Sequence, residues 1–435
     1  MTTKGATRRV LANAGWMLGG QGAAAAMSLV YLALATRSLG LEGFGTFSMI
    51  LAIASTVATL VAFQCWQIVV HYGMDHLHAG RDDDLARLLW FCAGLDALGV
   101  AFGSMISLAT VAAVAGPLGW DSSTTWAATV FCLLTMMGFR STPVGVLRLH
   151  NRYATAAGAE TIAPVLKTIG AVGCWWFDAG LPGFLIVWAL ADVAVSIAYW
   201  FIAAAHCGAP WRPGSRPEMR GVRSANEGIL RYALATNATA SLKIASRSLA
   251  ILVVGWFGGS TAAGAYRLCL QLSQAAARVS QVISRALFPE LARARLSGVD
   301  QLRTMLWRTS RLVAALGLVA AIAIPLLGNP LLTLVGGAAY AAAYPTLLVM
   351  GAAAVVEMTG SALEPTLLAL GRGGAALRAS IAAAVTTLVL MIPAASTNAD
   401  YGAAWAVLAG AIVAFATSAW SLRPLLTKSA RDAIA

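Results

Sequence analysis

The chain has 435 residues, of which 59% are hydrophobic and only 11% charged, with a formal net charge of +12. Apolar runs of about 20 residues, the length needed to cross a hydrocarbon core of about 30 Å, recur along it; this excludes a soluble protein and defines an integral membrane protein. The positive surplus calls for no nucleic-acid partner, because it collects between the runs, where it sets topology and attracts the anionic headgroups of membrane lipids.

Taken in chain order, twelve spans are predicted at about 11–36, 44–71, 86–112, 124–146, 157–177, 182–206, 230–257, 262–288, 304–327, 344–370, 377–395 and 402–422. The first is too long for a cleaved signal peptide and reads as retained. Ala and Gly crowd the runs, which suits close helix packing in lipid. The GxxxG spacings at Gly15 and Gly19, Gly99 and Gly103, and Gly255 and Gly259 carry no functional weight in so Gly-rich a chain. Cys65, Cys92, Cys132, Cys174 and Cys269 fall within spans and Cys207 at an edge, with no CxxC and no pairing implied. His76 and His78 lie near Asp82, Asp83 and Asp84, a grouping that reads as a solvated loop in preference to a metal site.

Of the 30 Lys and Arg residues, twenty-two occupy alternate gaps or the span ends that border them. The series starts with Lys4, Arg8 and Arg9, continues through Arg81, Arg87, Arg148 and Arg152 to the Arg212–Arg231 group, and ends with Arg423, Lys428 and Arg431. The intervening gaps contribute only Arg37. By the positive-inside rule both termini face the cytoplasm. The longest polar interruption, rich in Arg and Pro, separates six spans from six. The expected organisation is an N-terminal six-helix lobe at 1–206, a cytoplasmic linker at 207–229 and a C-terminal six-helix lobe at 230–435. Shifting the second half back by 219 residues aligns Gly40 with Gly259, Gly45 with Gly264 and Phe47 with Tyr266. Six being even, the halves share one orientation and form parallel repeats. Transporters commonly hold substrate between such halves.

Asn13-Ala14-Gly15-Trp16, Gly20-Gln21 and Arg37-Ser38-Leu39-Gly40-Leu41-Glu42-Gly43-Phe44-Gly45 resemble the opening of the polysaccharide transporters. These are the lipid-linked oligosaccharide flippases of the multidrug, oligosaccharidyl-lipid and polysaccharide exporter superfamily. Leu287-Phe288-Pro289-Glu290-Leu291, Gly371-Arg372 and Tyr401-Gly402-Ala403-Ala404 fit the same pattern, so the likeness covers nearly the whole chain. It implies an all-α integral membrane fold of two six-helix lobes around a central cavity that opens to each side in turn.

Apart from those at the span ends of the alternating series, seven cations lie inside the predicted spans: Arg140, Lys167, Lys243, Arg247, Arg267, Arg278 and Arg285. An ionised side chain at a helix centre costs about 2.5–3.5 kcal/mol on insertion scales, so such residues normally face a bundle interior or an aqueous cavity. At about 100° per residue, Arg267, Gln271, Gln274, Arg278, Gln281 and Arg285 share one face of the eighth helix. Thr236, Thr239, Lys243, Ser246 and Arg247 share one face of the seventh. Arginine stays charged when desolvated and its planar fork matches phosphate oxygens, so this constellation suits a pyrophosphate and disfavours an organic cation. The competing reading is that Arg267 and Arg285 snorkel to the interfaces and Lys243 and Arg247 pair with acids. Arg140, and Lys167 with Glu160 on the fifth helix, are either a charge balance or part of a binding site. Asp96, Asp192, Glu357 and Glu364 are the other acids within spans, each either a partner for a buried cation or a titrating group; Glu357 and Glu364, seven apart on one helix face, and Asp96 are the candidates for ion coupling.

The function expected is translocation of a polyprenyl-pyrophosphate-linked oligosaccharide across a bacterial inner membrane, for polysaccharide export. It needs no covalent chemistry and no cofactor, and it implies a polysaccharide polymerase and export proteins as partners. A membrane glycosyltransferase or polymerase would place acids or bases on a sizeable external loop, whereas the largest external gap, about 328–343, is uncharged. A small-molecule antiporter of the drug-exporter branch and a peptidoglycan-precursor flippase are the alternatives.

Overall fold

The computed structural model describes the backbone of residues 3–207, 221–296, 299–370 and 372–426; the described side chains begin at residue 27 and leave out, among others, 238–247 and 276–309. Every regular element in these ranges is a helix. The chain divides into two compact units, Met1–Leu39 with Ile50–Ala245, and Gly40–Met49 with Ser246–Ala435. Among the described residues, nine helical stretches are long and apolar enough to cross a bilayer.

In chain order the first half holds α1 (Thr3–Val61), α2 (Cys65–His78), α3 (Asp82–Ala115), α4 (Ser122–Met137), α5 (Ser141–Leu149), α6 (Tyr153–Glu160), α7 (Ile162–Trp176) and α8 (Gly180–Cys207). A short α9 (Val222–Ala225) precedes α10 (Ile229–Leu296), α11 (Val299–Gly336), α12 (Tyr344–Gly360), α13 (Leu363–Ala369), α14 (Gly373–Thr397) and α15 (Ala399–Leu426). The element pattern repeats. α8 and α15 each run for 28 residues and start at 180 and 399, the same 219-residue step that aligns the two halves in sequence.

The step is sharpest at two corners. α1 bends at Gly40 (φ 68°, ψ −174°) and α10 at Gly259 (φ 72°, ψ −175°), the same conformation at the two aligned positions. That region of backbone space is open in practice only to glycine, because a Cβ would clash. In the second unit the helical turns after these corners cross at two further glycines. A Cβ on Gly45 would overlap the Ser260 carbonyl, and one on Gly264 would sit 2.6 Å from the Leu41 carbonyl oxygen and 3.0 Å from the Gly45 nitrogen. Each glycine thus meets the residue just past the other corner. Phe44 and Tyr266 are buried here, with Phe44 stacked on Phe47 and edge-on to Tyr340.

Several predicted spans are interrupted. The second is broken at 62–64 between α1 and α2, the fourth at 138–140 between α4 and α5, the fifth at Thr161 between α6 and α7, and the tenth at 361–362 between α12 and α13. Counting apolar residues cannot register such breaks, since the residues around them stay apolar. Outside the spans, Asp121 caps α4: its carboxylate accepts from the Thr124 N–H (3.0 Å) and the Ser123 hydroxyl (2.7 Å), which hold its pKa down to about 2.

The residues just before α10 are docked on the first unit. Val222, Ile229 and Ala233 belong to the same buried cluster as Ile68, Val69, Leu88, Leu89 and Leu149. His76, read from sequence as part of a solvated loop, is instead a buried residue of α2 whose Nε2 lies 2.9 Å from Asn226 Oδ1. Asn226 Nδ2 donates to the Val222 carbonyl, so Oδ1 is the free acceptor and His76 Nε2 the donor. The Tyr72 hydroxyl donates to the Glu227 carbonyl (3.0 Å) and His71 stacks on Tyr232. Residues 208–220, the middle of the expected linker, lie outside the described residues.

Gly45→Ala should therefore lower thermal stability by about 1–3 kcal/mol, the usual range for overpacking. Gly116→Ala should be silent, because nothing lies within 4 Å of the added methyl. Loss of monodisperse protein on heating in detergent, followed by size-exclusion chromatography, measures both.

Candidate functional site

The first unit brings its intramembrane charges to the helix breaks. Gly138 ends α4, with its N–H bonded to the Thr135 carbonyl (3.0 Å), and α5 restarts when Val144 N–H reaches the Arg140 carbonyl (3.1 Å). Pro143 sits in the first turn of α5 and Pro164 in that of α7, where a missing N–H costs nothing. Backbone groups freed by a break inside lipid must find partners in the protein. The Phe139 carbonyl accepts from Ser196 Oγ (3.0 Å) and Trp200 Nε1 (3.2 Å), and the Thr142 N–H donates to the Asp96 carboxylate at 2.8 Å. Ser141 Oγ accepts from the Trp66 N–H (3.1 Å), tying the α4–α5 break to the α1–α2 break.

Arg140 lies in the break itself. Its guanidinium reaches Glu160 at the end of α6 (3.6 Å) and stands 5.8 Å from the centre of the Tyr199 ring on α8. Lys167 of α7 binds Asp192 of α8 at 2.9 Å, their side chains 15% and 32% exposed, and approaches the face of Trp188, which meets Tyr31 edge-on. Gly170 makes this pairing accessible, because a Cβ there would run into Val187 of α8. Arg148, at the end of α5, has its guanidinium 4.1 Å from the centre of the Trp66 ring. The Trp66 Nε1 in turn donates to Gln64 Oε1 at 2.9 Å.

The sequence candidates divide accordingly. Arg140 and Lys167 each meet a carboxylate. Asp96 is buried, with its carboxylate at the start of α5. Gln271 and Arg267 are neighbours on α10: with the amide oxygen turned to the guanidinium, Gln271 accepts from Arg267 Nε and Nη2 at 3.2 and 3.3 Å. Gln274 is half-buried one turn on. Glu357 and Glu364 lie on α12 and α13, on either side of the Ser361–Ala362 interruption, both exposed on the unit's surface. The side chains of Lys243, Arg247, Arg278 and Gln281 lie outside the described residues. Sequence reasoning offered Asp192 as a partner for a buried cation and Glu160 as part of a charge balance without naming which cation each meets, and it assigned Arg148 to topology alone. In the second unit Thr346 donates to Asp400 (2.7 Å), and Arg372 donates to the Ser421 carbonyl (3.0 Å) near the end of α15, where a cation suits the helix dipole.

Interrupted spans whose freed backbone and charges are tied together inside the bundle are found in many membrane transporters. The chain superimposes on an inward-facing multidrug resistance MATE family transporter of the MOP superfamily with a TM-score of 0.69 at 16% identity, covering 93% of this chain and 96% of that one. It superimposes on the lipid II flippase MurJ in an inward closed conformation with a TM-score of 0.77 at 12% identity, covering 94% and 87%. The fold is thus that of the MOP superfamily transporters. The chain belongs to the polysaccharide biosynthesis protein family, whose sequence pattern it matches over residues 10–295. The inner membrane protein YghQ of Escherichia coli strain K12 is 26% identical over 352 residues, 78% of this chain and 96% of its own length. The chain is thus a multi-pass membrane protein of that family with the fold of the MOP superfamily.

Asp192→Leu should strand the Lys167 ammonium and cost about 2 kcal/mol of stability, Lys167→Met should strand the carboxylate, and the double change Lys167→Met with Asp192→Leu should cost less than either single change. Thermal unfolding of the four proteins in one detergent gives the coupling directly.

Proposed function

We propose that this protein moves a polyprenyl-pyrophosphate-linked oligosaccharide from the inner to the outer leaflet. The observation that carries the reading is the placement of seven cations inside the predicted spans of a transporter from a polysaccharide biosynthesis family. The physical problem is to carry an anionic, heavily hydroxylated headgroup through hydrocarbon while its tail stays in lipid. A hydrated cationic cavity solves it, since several arginines in a poorly solvated space hold pyrophosphate oxygens by charge-assisted hydrogen bonds.

In this reading twelve spans form two parallel six-helix lobes, 1–206 and 230–435, joined by the linker 207–229, with both termini in the cytoplasm. Arg278, with Gln271, Gln274 and Gln281 beside it, binds the pyrophosphate from the second lobe together with Lys243 and Arg247, and Arg140 and Lys167 contribute from the first. Glu357, Glu364 and Asp96 are the acids available for ion coupling. An inside-negative potential also favours outward movement of phosphate charge, by about 2.3 kcal/mol per charge per 100 mV. A polysaccharide polymerase and export proteins take the product on.

Arg278→Ala should abolish transport without loss of membrane insertion, and Lys243→Gln and Arg247→Gln should each damage it. The test is lipid-linked glycan in a deletion strain, assayed by leaflet. Accumulation in the cytoplasmic leaflet, rescued by wild type and not by Arg278→Ala, supports the reading. Accumulation of a peptidoglycan precursor in its place transfers it to that substrate, and an unchanged glycan pool points to small-molecule export.

A further inference from the structure

The cations described in the first unit are not equivalent. Arg140 and Lys167 have carboxylate partners, but Arg148 has neither a hydrogen-bond acceptor nor a carboxylate among the described residues. Its charge is held by the Trp66 ring instead, a face-on contact that leaves the outer edge of the guanidinium, with its N–H groups, unused.

The arrangement is built by one face of α5. Ser141, Gly145 and Arg148 follow one another at helical spacing and all meet the start of α2. Ser141 takes the Trp66 N–H; a Cβ on Gly145 would lie 2.8 Å from Trp66 Cα and 2.8 Å from Val69 Cβ; Arg148 covers the Trp66 ring. Only glycine at 145 lets the two helices approach this closely. The ring beneath Arg148 is fixed from two sides, by its backbone bond to Ser141 and its indole bond to Gln64. Arg148 is half-buried at the end of α5, whereas Arg140, in the break before α5, is already engaged with Glu160 at 3.6 Å.

We infer that Arg148, stacked on Trp66, is a phosphate-binding site in the first unit and that it receives the diphosphate of the lipid-linked substrate. A diphosphate presents paired oxygens to the free fork of Arg148. This rests on the proposed flippase function for the identity of the phosphate donor. The anion site itself stands on the geometry.

The test uses full-length protein in phosphatidylcholine nanodiscs, with geranylgeranyl diphosphate, geranylgeraniol and nanodiscs containing phosphatidylglycerol as probes. Wild type should bind the diphosphate and not the alcohol, with affinity falling as salt rises. Arg148→Gln should weaken binding about tenfold or more, and Trp66→Leu, which removes the platform but no charge, should also weaken it. Arg148→Lys should recover only part of the affinity, because an ammonium lacks the fork. Wild-type affinity in Arg148→Gln, or in Arg148→Lys where the glutamine protein does not fold, would overturn the inference. Phosphatidylglycerol displacing the diphosphate at equal concentration would overturn its assignment to substrate and leave a site for bulk lipid headgroups. The leaflet assay separates the two readings. A deletion strain with no glycan defect sinks the flippase alone, while a clear defect together with unchanged diphosphate binding in Arg148→Gln sinks this site alone.

Discussion

The structure of the first unit depends on one constraint: a backbone group freed inside hydrocarbon has no water to turn to. The break at 138–140 releases a carbonyl and several N–H groups, and each satisfied group fixes a neighbour. Ser196 and Trp200 of α8 close on the Phe139 carbonyl, Asp96 of α3 closes on the Thr142 N–H, and Ser141 holds the start of α2. Three helices, α2, α3 and α8, are thereby located by polar contacts whose loss would each leave a buried group unpaired, at about 1–3 kcal/mol. Greasy packing alone would not specify so particular an arrangement, since lipid tails are as apolar as the side chains they replace.

The same constraint accounts for the ion pairs. A lone ammonium on α7 would be expensive at this depth, and Asp192 on the adjoining α8 neutralises it at 2.9 Å. Such pairs do not by themselves make a protein more stable than an apolar replacement would. What they do is tie α7 to α8 and α5 to α6 in one register, next to the interruptions where the chain is least constrained by its own helix hydrogen bonds.

Much of the fold could be read in advance, and the reasons are local. Gly40 and Gly259 stand out because their backbone conformation admits no side chain, and a shift that aligns them also aligns Gly45 with Gly264, which touch the partner corner. Glycines at 99 and 103, given no weight in sequence, turn out to receive Phe139, Met136 and Val61 at contact distance. The breaks were less legible. Pro143 and Pro164 were available as signs of helix starts, but an apolar run gives no hint that it is two helices. For the charge pairs the acids were legible and the pairing was not: Lys167 meets Asp192 only because Gly170 lets α7 lie against α8, and that is decided by packing between two helices. His76 was misread for the same reason, its partner Asn226 lying 150 residues away.

How a cation is stabilised decides what it is free to do. A guanidinium neutralised by a carboxylate has spent donors on its partner, and an incoming anion must first compete with a fixed negative charge. A guanidinium stacked on indole is stabilised through its face, by about 0.5–2 kcal/mol, while its edge and its full charge stay available. Arg140 and Lys167 are of the first kind and Arg148 is of the second. On the proposed flippase function, a protein that captures an anionic headgroup and then lets it go gains from this division. Paired charges keep the helices in register through the cycle, and a stacked one offers enough attraction to admit the ligand, with no rigid cage to hold it back.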